Sequence, residues 1–352
     1  MSDKQECIVV LTPGFAANED DTTCLPHIQQ FILSLKKLYS KKSIVVIAFQ
    51  YPFVSGSYDW HGVNVIALGG ENKTKIFRLI TWIKAYRHLA KINKEKKVLG
   101  LLSVFHTECA VVGSKFAKRN GLKHYSWLQG QDAKADNPYI KRINAKADEI
   151  LCLSNFLQNE FYKNHGVKPK YIIDNGITES AFPMLNENQR SIDVLGVGSL
   201  IPLKNYTLFI ELVHELKNQF PLIRTTIAGK GVEQEKLQAQ IDQLGLQENV
   251  RLLGLISHAK TLALMNDSKI VLHTSDYEGS CSVLFEALYS GCDVVTTVNP
   301  SDLNYPQFFQ STNKQELKEK LIQLLSLNHV DRKRFLYNTM DTSAKNIMAL
   351  FN

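Results

Sequence analysis

Two carboxylates, Glu278 and Glu286, stand eight residues apart in the stretch Asp276-Tyr277-Glu278-Gly279-Ser280-Cys281-Ser282-Val283-Leu284-Phe285-Glu286-Ala287-Leu288. Upstream, Lys269-Ile270-Val271-Leu272-His273 reads as a buried strand, and Val283 to Tyr289 reads as a helix whose start is marked by Ser280 or Ser282. A strand, a small-residue turn and a helix expose the first-turn N–H groups and the positive end of the helix dipole at the turn. Gly279 lets a ligand approach the backbone closely. Such a turn suits a phosphate. A carboxylate cannot hold a phosphate, but Glu278 just outside the helix and Glu286 one to two turns inside it can accept hydrogen bonds from hydroxyls that flank a bound anion. Taken alone, the two acids read better as an exposed helix-start pair that complements a dipole.

The neighbouring strand ends decide between those readings. Gly198-Ser199-Leu200-Ile201-Pro202-Leu203-Lys204-Asn205 follows a strand over Ile192 to Val197 and opens a helix, so Lys204 is a point charge at the carboxyl edge of a sheet. Gly229-Lys230-Gly231 follows the next strand and Gly254 the one after. One edge thus collects backbone donors, one or two lysines and two carboxylates, which are parts for a sugar linked to a nucleotide diphosphate.

The elements that must position this edge alternate along the whole chain. In the first half, strands are expected at Cys7 to Thr12, Ser43 to Phe49, Lys97 to Phe105, His124 to Leu128, 149–153 and Lys170 to Ile173. Helices are expected at Leu25 to Leu38, Lys75 to Ile92 (amphipathic and basic), Glu108 to Lys118, and Asn155 to Asn164 behind a Ser154 cap. Buried strands alternating with helices predict a parallel sheet covered on both faces. Gly14 lies where such a sheet places its first ligand-facing loop. No G-x-G-x-x-G is present, so dinucleotide binding is not indicated. His106 closes one strand, and Gln129-Gly130-Gln131-Asp132 follows another.

Between Thr178 and Arg190 the pattern lapses into Pro183, Asn186, Asn188 and charge, which reads as a linker. The alternation then restarts with strands at Ile192 to Val197, Leu222 to Ala228, Val250 to Leu253, Lys269 to His273 and Asp293 to Thr297. Helices are expected between them at Tyr206 to Asn218, Glu233 to Leu244 and His258 to Met265, and after them at Gln315 to Leu327 and Asp331 to Leu350. The predicted organisation is a domain over 1–185, a second over 190–330, and a terminal helical segment over 331–352 that packs back on the first.

At 352 residues the chain exceeds the size at which one core usually stops growing. No apolar run reaches the ~18 residues of a membrane span, and Met1-Ser2-Asp3-Lys4-Gln5-Glu6 is polar, so neither a span nor a secretory signal is expected. Six cysteines without C-x-x-C pairing read as reduced, buried thiols of a cytoplasmic protein. Of the net charge of +7, the first 190 residues hold 26 Lys+Arg against 17 Asp+Glu, so the basic half is the first. That excess reads either as a solvated surface or as attraction to an anionic membrane or acceptor. A nucleic-acid partner is not expected, because no recognition motif accompanies the charge.

The second half resembles the retaining nucleotide-sugar glycosyltransferases of GT-B fold, in the large group called family four or group 1. The resemblance runs through Val197 to Asn205, Ile227-Ala228-Gly229-Lys230-Gly231, Val250 to Gly254, and Ser275 to Gly279 continuing through Glu286-Ala287-Leu288, in the family's order. The first half is similar more loosely, through Pro13-Gly14, Gln129 to Asp132 and Asp174-Asn175-Gly176-Ile177. The implied fold is α/β, two doubly wound Rossmann-like domains facing each other across a cleft.

The implied activity is transfer of a hexosyl unit from a nucleotide diphosphate sugar to an acceptor hydroxyl with retention, in cell-surface polysaccharide, lipopolysaccharide or glycolipid assembly. By resemblance, Glu278 contacts the donor sugar and Glu286 the ribose. The amides of Gly279, Ser280, Cys281 and Ser282 and the side chain of Lys204 hold the diphosphate, and Gly14 gives it room. Glu278 and Lys204 are the implied catalytic residues. Two positions depart from the family pattern. Ser199 stands where many members carry arginine, so a phosphate cation is missing unless Lys230 or another residue substitutes. Gln129 stands where many carry histidine, and with His106 and Asp132 it is assigned to the acceptor side.

No Asp-x-Asp metal motif occupies a suitable loop, so neither a metal nor a cofactor is expected beyond the nucleotide sugar as co-substrate. The expected partners are that donor, a saccharide or lipid-linked acceptor, and an anionic surface at the inner face of the membrane. The rivals are a nucleotide-sugar epimerase of the same fold and a nucleotide-sugar-binding protein with weakened catalysis.

Overall fold

The computed structural model describes residues 4–73, 76–186, 190–327 and 332–352. Lys75, Asn188 and Asp331 of the expected helices and linker, and Met1 to Asp3 of the polar start, lie outside the described residues. The chain divides into two compact units, one of Met1–Gly176 with Asn338–Asn352 and one of Ile177–Tyr337.

The first unit runs β1 (Glu6–Gly14), α1 (Pro26–Leu38), β2 (Ser43–Tyr51), β3 (Gly56–Trp60), β4 (Val63–Ala67), α2 (Ile76–Glu95), β5 (Lys97–Val104), α3 (Glu108–Asn120), β6 (Lys123–Trp127), α4 (Ile140–Ile143), β7 (Ile150–Cys152), α5 (Asn155–His165) and β8 (Tyr171–Ile172). The sheet order is β3-β4-β2-β1-β5-β6-β7-β8. Every pairing is parallel except β3 with β4. Alternate residues of a strand face opposite sides. Ile8 and Val10 accordingly pack with Phe31 of α1 and the C-terminal Ile347, while Val9 and Leu11 pack with Leu89 of α2 and Phe116 of α3. Both faces being covered is why β1 and β2 read as unbroken apolar runs.

The second unit runs β9 (Ile192–Val197), α6 (Tyr206–Lys217), β10 (Thr225–Ala228), α7 (Gln234–Gln243), β11 (Val250–Gly254), α8 (His258–Asn266), β12 (Ser268–His273), α9 (Ser282–Tyr289), β13 (Asp293–Thr296), β14 (Phe308–Gln310) and α10 (Lys314–Leu325). Its six strands are parallel in the order β11-β10-β9-β12-β13-β14. Val194, Ile270 and Val295 face α6 and α10 through Phe209 and Leu321, and Leu195, Val271 and Val294 face α8 and α9 through Leu262 and Phe285. In both sheets the order reverses beside the first strand, and open sheets of this kind bind ligands at such reversals, outside the strands' carboxyl ends.

Several local expectations change. The hairpin of β3 and β4 turns on His61 and Gly62, both at positive φ, and supplies an antiparallel edge. The strand expected from Leu222 starts only at Thr225, because Pro221 and Leu222 stay exposed. The helix expected through Leu350 is shorter: α11 is Met340–Ala349, with Thr339 accepting from Thr342 N at 3.1 Å. Residues from Arg332 to Asn338 are not helical, because their groups are used across the chain instead. Arg332 donates to Asp293 Oδ2 at 3.1 Å, Phe335 N to Leu288 O at 3.2 Å, and Tyr337 stacks on Phe285 with 4.4 Å between ring centroids. Among the described residues no helix is long and apolar enough to cross a membrane.

Candidate active site

The carboxyl edge of the six-stranded sheet is built from three loops that hold one another. Gly198 N donates to Ala228 O at 3.0 Å, Leu200 N to Lys230 O at 3.1 Å, and Gly229 N to Gly254 O at 2.9 Å. The backbones meet so closely that a Cβ on Gly229 would lie 1.8 Å from Gly198 O, and one on Gly231 would lie 2.1 Å from Leu200 O. Gly229 also sits at φ +155°, which a side chain rarely adopts. The recurrence of glycine at this edge therefore has a packing cause as well as a ligand-binding one.

Lys204 ends the short helical turn Pro202–Lys204 after β9, and Glu278 lies in the loop after β12. They form an ion pair with side chains 20% and 13% exposed. Glu278 Oε1 also lies 3.1 Å from His273 Nε2, and Cys281 Sγ lies 3.4 Å from the same nitrogen. Burial works to raise the Glu278 carboxyl, but the His273 hydrogen bond and the Lys204 charge outweigh it and hold it down at about 2. Burial works to lower Lys204, yet Glu278 keeps it above its ordinary value. Burial lowers His273 against the opposing pull of Glu278, and because an ionised carboxylate can only accept, Nε2 is the donor in their hydrogen bond. Cys281 is pushed far up by burial and stays a thiol. The surrounding loops are tied down as well: Thr274 Oγ1 donates to Lys204 O at 3.0 Å, and Asn205 Nδ2 to Asp276 Oδ1 at 3.1 Å.

Ligand atoms of His273, Glu278 and Cys281 fall within 4.8 Å of one another, the spacing of a metal set. The Lys204 ammonium shares the same Glu278 oxygen and the thiol keeps its proton, so these groups fit a hydrogen-bond network better than a cation.

Helix α9 starts at Ser282 with Cys281 at the N-cap position and no side-chain cap hydrogen bond. Ser282 is its first residue, as the sequence predicts, and the N-cap residue Cys281 turns its sulfur to His273. One turn in, Glu286 Oε1 lies 2.7 Å from His258 Nε2 at the start of α8, both side chains about one-sixth exposed. Burial works to lower His258, and the Glu286 bond overcomes it and raises the imidazole. Gly279 is buried, Ser280 half-buried, and Ser199 and Lys230 are exposed on neighbouring loops of the same edge.

The remaining candidates belong to the first unit. Gly14 ends β1, where a Cβ would meet Cys24 Sγ at 3.1 Å. Asp132 is buried and its carboxylate accepts from the backbone N–H of His106 at 2.7 Å, Gly130 at 2.8 Å and Gln129 at 3.0 Å. His106 is buried, with Nδ1 2.8 Å from Ser126 Oγ, and desolvation lowers it to about 3, so it is neutral. The Asp132 carboxylate and His106 Nδ1 are thus engaged inside the unit, while Gln129 is half-buried. Sequence reasoning missed His273 and His258. The available signal was a histidine at a strand's carboxyl end in one case and, in the other, a histidine directly after the Ser257 cap.

Residues 178–341 match the family model described as Glycosyl transferases group 1. None of the curated protein sequences matches this chain. Among solved structures, a glycosyltransferase from Rickettsia africae is similar over 99% of this chain and 94% of its own, at 14% identity and a TM-score of 0.71. Anabaena HepE, solved with UDP and glucose, is similar over 98% and 94%, at 17% identity and 0.67. A TarM variant from S. aureus, solved with fondaparinux, alpha-GlcNAc-glycerol and UDP, is similar over 78% of this chain at 17% identity and 0.58, and this chain spans 59% of its length. At these identities the likeness establishes the fold, that of the GT-B glycosyltransferases.

Proposed function

Because residues 178–341 match the family model of the glycosyl transferases group 1, we propose that this protein transfers a hexosyl unit from a nucleotide diphosphate sugar to an acceptor hydroxyl, with retention at the anomeric carbon. The observation that carries this reading is the Lys204–Glu278 ion pair beside the N-terminus of α9, which has no side-chain cap. An ammonium and a helix N-terminus together bind a diphosphate. An ionised Glu278 beside them accepts from the sugar's hydroxyls, and Glu286, oriented by His258, accepts from the ribose. Lys230 is the second cation of this edge, on the loop next to Ser199.

In the reaction the bond from the anomeric carbon to the diphosphate oxygen breaks and negative charge develops on that oxygen. Lys204 exchanges Glu278 for the phosphate, and the amides around Gly279 to Ser282 meet the same charge; preorganised donors of this kind usually supply the largest catalytic contribution. A carboxyl held at about 2 is a weak base at neutral pH, so Glu278 positions the sugar and does not deprotonate the acceptor. The acceptor proton passes to the departing phosphate oxygen, and neither a metal nor another cofactor enters this scheme. By the family resemblance Gly14 is assigned to the donor and Gln129 to the acceptor, Gln129 lying in a loop whose shape Asp132 and the backbone of His106 maintain. The acceptor is a saccharide or lipid-linked saccharide of cell-surface assembly, used at the inner face of the membrane.

A melting-temperature screen of the full chain with UDP, GDP and ADP tests the site, with UDP first because HepE and the TarM variant were solved with it. Binding raises stability with the logarithm of ligand concentration over Kd, so one base should stand out, and Glu286→Ala should abolish its shift. No shift with any of the three refutes the site. Binding without transfer to any of a broad acceptor panel favours a donor-binding protein, and conversion of the donor with no acceptor present favours an epimerase.

A further inference from the structure

Helix α2 buries Thr81, Ala85, Leu89 and Ile92 against the first unit's sheet side. At ~100° per residue these define one stripe, and Leu79, Ile80 and Ile83 point roughly 120–160° away from it. The outward side should be polar, yet Leu79 is 52%, Ile80 45% and Ile83 53% exposed, with Phe77 at 55% beside them. The loop after β2 adds Phe53 and Val54, at 54% and 79%. That loop adjoins the same helix, because Lys84 Nζ lies 3.2 Å from Ser55 Oγ. Farther along the outward side the residues become Arg87, Lys91 and Lys94, all exposed.

Beside the apolar stripe a groove of about 750 Å³ runs between α2 and α3, lined by Leu79, Trp82 and Ile83 and edged by Lys115, Lys118 and Arg119. Scattered exposed apolar residues need no explanation, but a contiguous patch with a charged border marks an interaction surface.

We propose that the outward face of α2, with the Phe53–Val54 loop, is where this protein docks peripherally on an anionic phospholipid bilayer. Apolar side chains enter the headgroup–acyl boundary while the lysines and arginines around them pair with anionic headgroups, which is how interfacial helices bind. Long basic side chains at the border can lay their stems along the apolar surface and keep their charges at headgroup level. A second copy of the chain fits less well, since a symmetric contact would set this basic border against itself. The proposal deepens the reading of a lipid-linked acceptor at the membrane and rests on that reading for its purpose, while the surface argument stands on α2 and α3 alone.

The full chain tests it by co-sedimentation with phosphatidylcholine vesicles, with and without one-third phosphatidylglycerol, at two salt concentrations. Wild type should partition onto the anionic vesicles only, and less at high salt. Ile80→Ser with Ile83→Ser, and Lys115→Glu with Arg119→Glu, should each reduce partition roughly tenfold or more, with melting temperature and UDP affinity unchanged. Three results would overturn the proposal. One is wild-type protein that ignores anionic vesicles, another is partition unaltered in both double variants, and the third is a dimer in light scattering that Ile80→Ser with Ile83→Ser dissolves. UDP binding that persists when vesicle binding is absent overturns the membrane face alone, and the reverse pattern overturns the donor-site reading alone.

Discussion

Replacing Lys204 by alanine removes the ammonium that pairs with Glu278, and with it the cation assigned to the diphosphate. Two unit charges about 4 Å apart interact by about 4 kcal/mol at an effective dielectric of ~20. That value is an upper bound for the contact with the ligand, because Lys204 must first leave Glu278. The carboxylate keeps its His273 bond when this happens, so the exchange costs part of the gain and not all of it. What remains is about one charge-assisted hydrogen bond, ~1.5–3 kcal/mol, or a roughly 10- to 100-fold weaker Kd for UDP. The same substitution leaves Glu278 with a single strong partner and should cost about 1–3 kcal/mol of stability.

Titration calorimetry of UDP against wild type and Lys204→Ala reads the first quantity, and circular-dichroism melting reads the second. Unchanged UDP affinity in a variant that still melts cooperatively refutes the site. A double-mutant cycle with Glu278→Gln separates a direct contact from a merely structural one. If Lys204 acts only by restraining Glu278, removing the carboxylate as well should restore the affinity, whereas a lysine that touches phosphate leaves the loss in place.

Acid should dismantle the same pair. Glu278 is lowered from 4.5 to about 2 in the folded chain, so its contribution is fully present above ~4.5 and is lost as pH falls toward ~2, an effect on the order of 3 kcal/mol. Denaturant unfolding at a series of pH values should show wild type more stable than Glu278→Gln near neutrality, with the gap closing below about pH 4.5; a gap of constant size would contradict the charge pairing. Gly229→Ala should be severe for a residue with no side chain to lose, since its Cβ would fall 1.8 Å from Gly198 O. A backbone shift there should cost roughly 2–4 kcal/mol, lowering Tm by roughly 5–15 °C and removing UDP binding, and a variant with wild-type Tm would mean that the strand-end loops are not packed as described.

Most of the parallel sheet was legible because strands buried on both faces carry their signal locally, as β1 and β2 do. The β3–β4 hairpin was not, since β3 is largely exposed and lacks an apolar period; only the two-residue turn at His61 and Gly62 announced it. The final helix was overextended because Arg332 to Asn338 contains ordinary helix formers whose partners, Asp293, Leu288 and Phe285, lie about 40 to 50 residues away. The site divides in the same way. Glu278, Glu286 and Lys204 stand out as candidates from the local pattern around each, but the bond joining Lys204 to Glu278 spans 74 residues and the one joining His258 to Glu286 spans 28. Those bonds decide the chemistry. Glu278 alone could be an acid, a base or a dipole partner; with Lys204 from the loop after β9 and His273 from the end of β12 on one oxygen, its carboxyl is held low, which is what the acceptor role proposed for it requires. Its role therefore belongs to the packing of β9 beside β12, which sets those two loops together.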